Sequence, residues 1–232
     1  MIAQALLDKI SASVKAAGQP ISNVKSVKAV GGGSINQTYK ISSEKEHFFV
    51  KINSANLYPG MFGAEEKGLQ LLSGNSAFAI PKVISHAKWQ DHAFLVLEYI
   101  HSDVRKKDFW EHFGEHLALM HKQTSSQFGL DHSNYIGSLP QSNAYHDTWA
   151  EFFVLERLEP LMKQARDEQL CDYNLTRKFD ALFHKMETLF PKEPPALLHG
   201  DLWSGNFMTG SEGYAVIYDP AVYYGHREMD LG

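Results

Sequence analysis

The chain has 232 residues, 44% of them hydrophobic and 21% charged, with a formal net charge of -5 at pH 7. This is the composition of an ordinary globular protein, long enough for one large domain or two lobes. The acidic balance provides no positive field for nucleic acid or an anionic membrane, and no apolar run approaches the roughly 20 residues that cross a bilayer. Neither kind of partner is therefore expected.

Cysteine usage indicates the compartment. The single cysteine, Cys171, excludes a disulfide framework and a cysteine-based zinc site within the chain, and it favours a reducing cytoplasm. Residues 1–15 lack the basic start and apolar block of a signal peptide.

The first hundred residues predict a small β-rich lobe with helices. Residues 1–15 have apolar side chains at helical spacing. Alternating or short apolar runs predict five strands, at residues 24–30, 35–41, 47–52, 81–84 and 94–97. In the third strand, Phe48, Val50 and Ile52 share one face and Lys51 lies on the other. Residues 61–72 return to helical spacing and predict a helix.

The remaining residues predict a mainly helical lobe, and the fold class is α+β. Helical spacing occurs in three segments, at residues 109–120, 149–158 and 176–190. Four apolar residues of the third segment are expected to be buried: Phe179, Leu182, Phe183 and Met186. No Gly/Ser-rich linker separates the two halves. We therefore expect a lobe of residues 1–97 and a lobe of residues 98–232 that share a cleft.

A chemically specific pattern occurs near the end of the chain. Asp201 and Asn206 have the spacing of the catalytic base and the metal-binding amide in the H-x-D-x-x-x-x-N loop of kinases. Asp219 follows a later apolar run, where a second metal-binding carboxylate belongs. Phosphoryl transfer needs a carboxylate to accept the proton of the attacking hydroxyl, and oxygen ligands for Mg²⁺. The pattern predicts such a site; the alternative is an Asp-rich turn followed by a strand.

A glycine run in the first lobe is consistent with a phosphoryl-transfer site, because it could bind phosphate. Gly31, Gly32 and Gly33, followed by Ser34, connect two predicted strands and let backbone amides approach phosphate oxygens. Glycine is also common in ordinary hairpin turns. Lys51 lies on the next strand, where the alternative is a surface lysine with a buried stem.

Glu65 is the reason to place Lys51 in the site. It lies on the apolar side of its predicted helix, where a carboxylate is costly unless it is paired. A Lys51–Glu65 pair would hold the ammonium against the α- and β-phosphates of a nucleotide. Glu66 is the rival partner, but its helical angle points towards solvent.

The segment Glu98, Tyr99 and Ile100 would join the two lobes. Backbone N–H and C=O groups there can bind the edge of adenine. The alternative is an ordinary buried strand end, because backbone recognition leaves little trace in the side chains.

The whole chain resembles the fructosamine/ketosamine-3-kinase family. Its members are relatives of aminoglycoside and choline kinases and have a protein-kinase-like two-lobe fold. The string Gly200-Asp201-Leu202-Trp203-Ser204-Gly205-Asn206 carries most of the resemblance. A second diagnostic stretch runs from Ile136-Gly137-Ser138 to Gln141 and Asn143. Further matches lie at residues 32–36, 49–51, 97–99 and 219–225.

The resemblance implies ATP- and Mg²⁺-dependent phosphorylation of the sugar 3-hydroxyl of a ketoamine, either a small molecule or a protein-bound sugar–amine adduct, and hence protein deglycation. Carried over to this sequence, Asp201 is the base, while Asn206 and Asp219 hold Mg²⁺. The implied nucleotide-binding residues are Gly31, Gly32, Gly33, Ser34, Asn36, Lys51, Glu65, Glu98, Tyr99 and Ile100. Trp203 either stacks on the sugar or supports the catalytic loop.

The acceptor stays open at this stage. The same machinery serves kinases of aminoglycosides, choline or sugars, and the acceptor pocket is expected from residues 134–143 and 223–226. A third reading is an inactive nucleotide-binding fragment, and the oligomeric state is not predicted. Because the resemblance implies further helices after Gly232, a truncated chain is expected, with apolar faces of the last two helices left uncovered.

Overall fold

The computed structural model describes residues 2–21, 23–31 and 35–232. Their contacts group them into two compact units, one from residues 1–117 and 201–220 and one from residues 118–200 and 221–232. The lobe boundary between residues 97 and 98 stays a prediction, as does the cleft; by contacts, residues 98–117 pack with the first unit. No described helix combines the length and apolar character that a membrane crossing requires.

The chain combines antiparallel strand pairs with runs of helices, and the predicted α+β class is confirmed. In chain order the elements are α1 (Gln4–Ala16), β1 (Ser26–Ala29), β2 (Gln37–Ser42), β3 (His47–Ser54), α2 (Met61–Asn75), β4 (Val83–Trp89), β5 (His92–Glu98), α3 (Phe109–His121), β6 (Asn134–Ile136), β7 (Leu139–Gln141), α4 (Trp149–Phe152), a π-helix (Phe153–Leu158), α5 (Glu159–Asp167), α6 (Tyr173–Phe183), α7 (Met186–Leu189), β8 (Ala196–Leu198), β9 (Phe207–Thr209), β10 (Ala215–Ile217), β11 (Tyr223–Gly225) and a 3₁₀ helix (Arg227–Asp230).

The first unit is built on an antiparallel sheet of five strands in the order β1-β2-β3-β5-β4. All five predicted strands are present. The largest difference lies in the fourth strand, which begins at Val83 rather than Pro81 and continues to Trp89. Proline has no N–H for a strand ladder, which accounts for the later start.

Two helices cover opposite faces of this sheet. On one face, Leu6, Ile10 and Val14 of α1 form a core with strand residues that include Val50. On the other face, Phe62 and Leu69 of α2 pack with Leu95 and Leu97 of β5. Because side chains alternate along a strand, the β3 residue next to Val50 must face α2. That residue is Lys51.

The third helix predicted for the second lobe differs from the expectation. It begins earlier, because the side chain of Asp172 accepts a hydrogen bond from the Leu175 amide (2.7 Å) and caps α6. It also breaks after Phe183 and resumes at Met186. Of the four residues expected to be buried, only Met186 is; Leu182 keeps 36% of its surface exposed. The expected truncation stays a prediction.

Candidate active site

Lys51 lies at the centre of a buried ionic cluster. Its ammonium lies 2.8 Å from both carboxylate oxygens of Glu65, and it also donates to Oδ1 of Asp219. The side chains of Lys51 and Glu65 are 3% and 8% exposed, so this is an interior ion pair. The predicted pairing of these two residues is present. Glu66, the rival partner, instead contacts His86 Nδ1 at 2.8 Å.

This cluster contains one ammonium and two carboxyl groups. Burial alone would lower the pKa of Lys51, but the carboxylates of Asp219 and Glu65 outweigh burial and raise it, so the ammonium stays protonated. Burial, supported by Asp219, raises the pKa of Glu65 to about 7 against the opposing effect of Lys51. One ammonium thus serves two carboxylates. The net negative charge of the cluster suits a further cation.

A short hairpin brings Asn206 and Asp219 side by side. Strands β9 and β10 pair antiparallel with Phe207 opposite Ile217. Asn206 comes directly before the first strand, and Asp219 comes two residues after the second. The Tyr218 amide donates to the Asn206 carbonyl (3.0 Å), so the ladder continues past the strands. The two predicted metal ligands therefore lie at the same open end of one hairpin.

Asp201 is joined to this hairpin through Asn206. The side-chain amide of Asn206 donates to both the backbone carbonyl and the carboxylate of Asp201, each at 2.8 Å. Asn206 is buried, so this pair of bonds fixes the turn from residue 201 to residue 206. Using the N–H groups in this way leaves the carbonyl oxygen of the Asn206 side chain as its ligand atom.

Asp219 has a backbone conformation that is uncommon outside glycine. Its φ of 57° lies in the left-handed region, which aspartate tolerates better than most residues. This conformation accompanies the turn that directs the carboxylate towards Lys51. Strain of this kind persists only where the surroundings impose it, and it is frequent at functional sites.

A cavity of about 270 Å³ lies within the first unit beside the ionic cluster. Gly31, Asn36 and Thr38 line it at the start of the sheet, and Lys51 and Asp219 line it at the cluster. Its other lining residues are Val30, Phe49, Pro81, Leu97, Glu98, Tyr99, Ile100, Gly205, Met208 and Tyr218. Seven of the predicted site residues thus share one cavity; Asp201 and Asn206 are not among its lining residues. Gly32, Gly33 and Ser34 lie outside the described residues.

The predicted hinge residues form one wall of this cavity, with different roles. The Glu98 amide donates to the Lys82 carbonyl (2.9 Å), so this N–H is not available to a base. The ring of Tyr99 is contacted by the ammonium of Lys40, 3.8 Å from the ring centroid, and by the rings of His47 and His101. The side chain of Tyr99 is therefore engaged within the protein. Recognition of adenine at this wall would therefore depend on the backbone groups of residues 98–100 other than the Glu98 N–H.

Asp230 is a supporting residue that the sequence analysis did not identify. Its buried carboxylate accepts hydrogen bonds from the backbone amides of His199 and Gly200, both at 2.9 Å, and lies 3.0 Å from His121 Nε2. These two amides directly precede Asp201. Gly200 itself has a φ of 81°, and a Cβ there would overlap the Ala221 carbonyl. Only the fold reveals this support, because Asp230 lies 30 residues from Gly200 in sequence.

The segment expected to form the acceptor pocket proves to be structural at its polar positions. The Asn134 side chain donates to the Val222 carbonyl (2.8 Å) and accepts from Gln141 (2.9 Å). Asn143 donates to the His132 carbonyl (3.0 Å) and accepts from Arg157 (2.6 Å). All three amides are buried. These side chains hold the second unit together, and the expectation that residues 134–143 and 223–226 form the acceptor pocket stays a prediction.

Trp203 lies on the loop between Asp201 and Asn206. Its indole ring is 58% exposed and packs over Gly205, where an added Cβ would overlap the ring. A ring so exposed contributes little to a core. Of the two roles left open by the sequence, contact with a ligand fits this exposure better.

The oxygen donors of Asp219 and Asn206 suit Mg²⁺ rather than a transition metal. No group of three or more His, Cys, Asp or Glu side chains among the described residues could hold a metal by itself. Mg²⁺, however, prefers oxygen ligands and is usually bound through one or two carboxylates together with substrate phosphates. Asp219 with the amide oxygen of Asn206 fits that pattern, whereas a zinc or transition-metal site does not.

Comparisons with known proteins agree with this chemistry. The family model for fructosamine kinase matches residues 6–232. The probable ketoamine kinase of Synechocystis sp. is 37% identical over 216 residues, covering 92% of this chain and 72% of that protein. The chloroplastic protein-ribulosamine 3-kinase of Arabidopsis thaliana is 36% identical over 214 residues, covering 90% of this chain and 65% of that protein.

Solved structures agree as well. The crystal structure of a fructosamine-3-kinase candidate from Haemophilus somnus superposes with a TM-score of 0.86 at 27% identity, covering 96% of this chain and 74% of that chain. An aminoglycoside phosphotransferase superposes with a TM-score of 0.64 at 14% identity, covering 99% of this chain and 75% of that chain. The second likeness shows a shared kinase-like fold alone.

Proposed function

This chain belongs to the fructosamine kinase family, and on that premise we propose that it is an ATP-dependent kinase that phosphorylates the sugar 3-hydroxyl of ketoamines. The observation that carries the proposal is the ammonium of Lys51, held between Glu65 and Asp219 at one side of a cavity. A fixed, desolvated ammonium at the side of a cavity is the arrangement that binds α- and β-phosphates.

Asp201 acts on the acceptor in this proposal. Its carboxylate orients the sugar hydroxyl and accepts its proton as the oxygen attacks the γ-phosphorus. The new P–O bond forms as the bond to ADP breaks, and the products are ADP and a phosphorylated ketoamine. The hydrogen bonds from Asn206 keep the carboxylate in place for this step.

Asp219 and the side-chain oxygen of Asn206 would hold Mg²⁺, which supplies charge neutralisation for the phosphate oxygens. The arrangement around Lys51 supports this assignment, since one ammonium faces two carboxylates and a further cation would balance their charge. Asp219 would then share its carboxylate between Lys51 and the metal, and Lys51 would meet the phosphates while Glu65 keeps it in position.

The ketoamine acceptor is supported by family membership and by the names of two relatives, a probable ketoamine kinase and a protein-ribulosamine 3-kinase. Aminoglycosides are the main competing acceptors, because an aminoglycoside phosphotransferase with this fold was solved with AMP-PNP and hygromycin B. Phosphorylation of a protein-bound ketoamine would make the enzyme a deglycation enzyme. Its single cysteine, Cys171, is free, which agrees with a reducing cytoplasm.

A single-turnover assay with labelled ATP tests the acceptor. Free and protein-bound fructosamine and ribulosamine adducts are compared with choline, simple sugars and aminoglycosides, and the phosphorylated position is located by NMR. We expect transfer to the 3-hydroxyl of the ketoamines. Transfer only to another alcohol would establish the rival kinase, and nucleotide binding without any transfer would establish a binding protein.

An Asp201→Asn variant is the control for the chemical step. We expect its turnover to fall by roughly 10²- to 10⁴-fold while ATP binding is kept, which is the usual range for a general base. Unchanged turnover would remove Asp201 from that role.

A further inference from the structure

A second pair of residues lies next to the Lys51–Glu65 pair between β3 and α2. Asn53 is two residues beyond Lys51 on the strand, and Met61 is four residues before Glu65 on the helix. Asn53 and Lys51 therefore project from the same face of the strand, and Met61 and Glu65 from the same side of the helix. The side-chain amide of Asn53 donates to the Met61 sulfur (3.2 Å).

The same amide nitrogen donates to Oδ1 of Asn36 (3.2 Å). Asn36 lies across the β2–β3 ladder, one position beyond the Gln37–Ile52 pair, and lines the cavity together with Lys51. Both hydrogens of Asn53 Nδ2 are thus used, one by a sulfur and one by an amide oxygen. Oδ1 of Asn53 has no hydrogen-bond partner among the described residues.

Met61 decides the orientation of both amides. A thioether sulfur can accept a hydrogen bond but cannot donate one. If the Asn53 amide turned over, its oxygen would face the sulfur, which has no proton to donate, and the bond to Met61 would be lost at a residue that is only 6% exposed. Asn53 must therefore present N–H to Asn36. Asn36 in turn presents its oxygen to Asn53, so that its own N–H groups can serve another acceptor, and Asn36 is one of the residues that line the cavity.

The position along the strand identifies which part of a nucleotide Asn36 meets. Phe48 is opposite Glu98, at the hinge end of β3, and Asn53 is five residues further along the same strand. At about 3.3 Å per residue, the two ends are roughly 16 Å apart. A base at the hinge would place its phosphates at Lys51 and Asn36, which lie towards the far end.

We propose that Asn36 donates a hydrogen bond to the phosphate chain of the nucleotide and that Asn53, oriented by Met61, is the positioning residue that sets this polarity. The inference rests on the proposed kinase function, since it requires a nucleotide in the cavity. The site selects for an acceptor-rich phosphate chain at this position. A nucleoside without phosphates gains nothing from Asn36.

Binding calorimetry with ADP and with adenosine tests the proposal in two variants. Asn53→Asp places an acceptor opposite Asn36, so the Asn36 amide turns and presents its oxygen to the phosphates. We expect ADP affinity to fall about 10- to 100-fold, since a hydrogen bond to a charged group is lost. Met61→Leu introduces no charge and frees the Asn53 amide, so ADP affinity falls several-fold. Adenosine affinity stays within twofold of wild type in both.

Met120→Leu is the matched control, because Met120 is buried like Met61 (0% and 7% exposed) but lies on α3 rather than on α2. We expect it to bind ADP and adenosine like wild type. Unchanged ADP affinity in Met61→Leu and Asn53→Asp, or an equal loss of ADP and adenosine, would overturn the positioning role. If wild type binds neither compound, the proposed kinase function fails instead, and the two failures are thereby distinguished.

Discussion

Removing the charge of Lys51 is the most direct test of the buried cluster. Lys51→Met keeps a flexible side chain of similar length on β3 but leaves the 8% exposed carboxylate of Glu65 without its cation. Breaking a buried ion pair by removing one partner costs about 3–5 kcal/mol of folding free energy, because the remaining charge stays desolvated. We expect a loss of that size at pH 8.

The loss should depend on pH in a defined direction. Glu65 has a pKa of about 7 in the folded protein against an ordinary value of 4.5, so between these values the folded state holds a proton that the unfolded state has released. The free energy of unfolding therefore falls as pH rises through this window. Lys51→Met removes the influence that lowers the pKa of Glu65, so the variant goes on losing stability above pH 7. The difference in the free energy of unfolding between the variant and wild type therefore widens between pH 6 and pH 8.5.

Urea unfolding at pH 6 and pH 8.5 measures this difference. Lys40→Met is the matched control on the neighbouring strand, where the ammonium contacts the Tyr99 ring in a cation–π pair worth about 1 kcal/mol or less. The double variant Lys51→Met/Glu65→Leu should recover most of the loss, because no charge is then buried alone. A loss below about 1 kcal/mol at pH 8.5, or one that shrinks as pH rises, would refute the reasoning.

Three further predictions concern the catalytic loops. Asp219→Asn should abolish the rise in Tm that Mg·ATP produces, measured by thermal shift with and without Mg²⁺; a retained rise would exclude Asp219 as a ligand. Asp230→Asn weakens the acceptor of two backbone amides, so urea unfolding should show a loss of about 1.5–3 kcal/mol, with a lower kcat and an unchanged KM for ATP. Trp203→Leu should raise the acceptor KM about tenfold and leave Tm and the KM for ATP unchanged; an unchanged acceptor KM with a lower Tm would assign the ring a structural role.

Local pattern was sufficient wherever a residue's neighbours in sequence are also its neighbours in space. The alternation of Val50, Lys51 and Ile52 predicted which side of the sheet the lysine faces, because strand geometry has a period of two. Helical spacing selected Glu65 over Glu66 for the same kind of reason, and the structure shows the two carboxylates with different partners. The catalytic spacing of Asp201 and Asn206 is likewise a property of one loop.

Contacts between distant segments were not accessible in this way. The sequence could not predict that the buried carboxylate of Asp230 lies beneath residues 199 and 200, or that the Asn134 amide bonds to the protein's own backbone. The Asp172 cap is a different case, because Asp172 directly precedes α6 and the sequence could have predicted it, but it was not predicted. Turn-forming polar residues look the same in sequence whether they face a ligand or the protein's own backbone.

By itself, the amino-acid sequence determined the five strands and the helix that carries Glu65, and it predicted the oxygen donors that phosphoryl transfer would need. Only the tertiary structure decided that Asp219 shares the ammonium of Lys51, that Asn53 donates to both Met61 and Asn36, and that the amides of residues 134, 141 and 143 are internal. The physical reason is that periodicity reports which face a side chain occupies. The hydrogen-bond partner on that face is set by whichever distant segment packs against it.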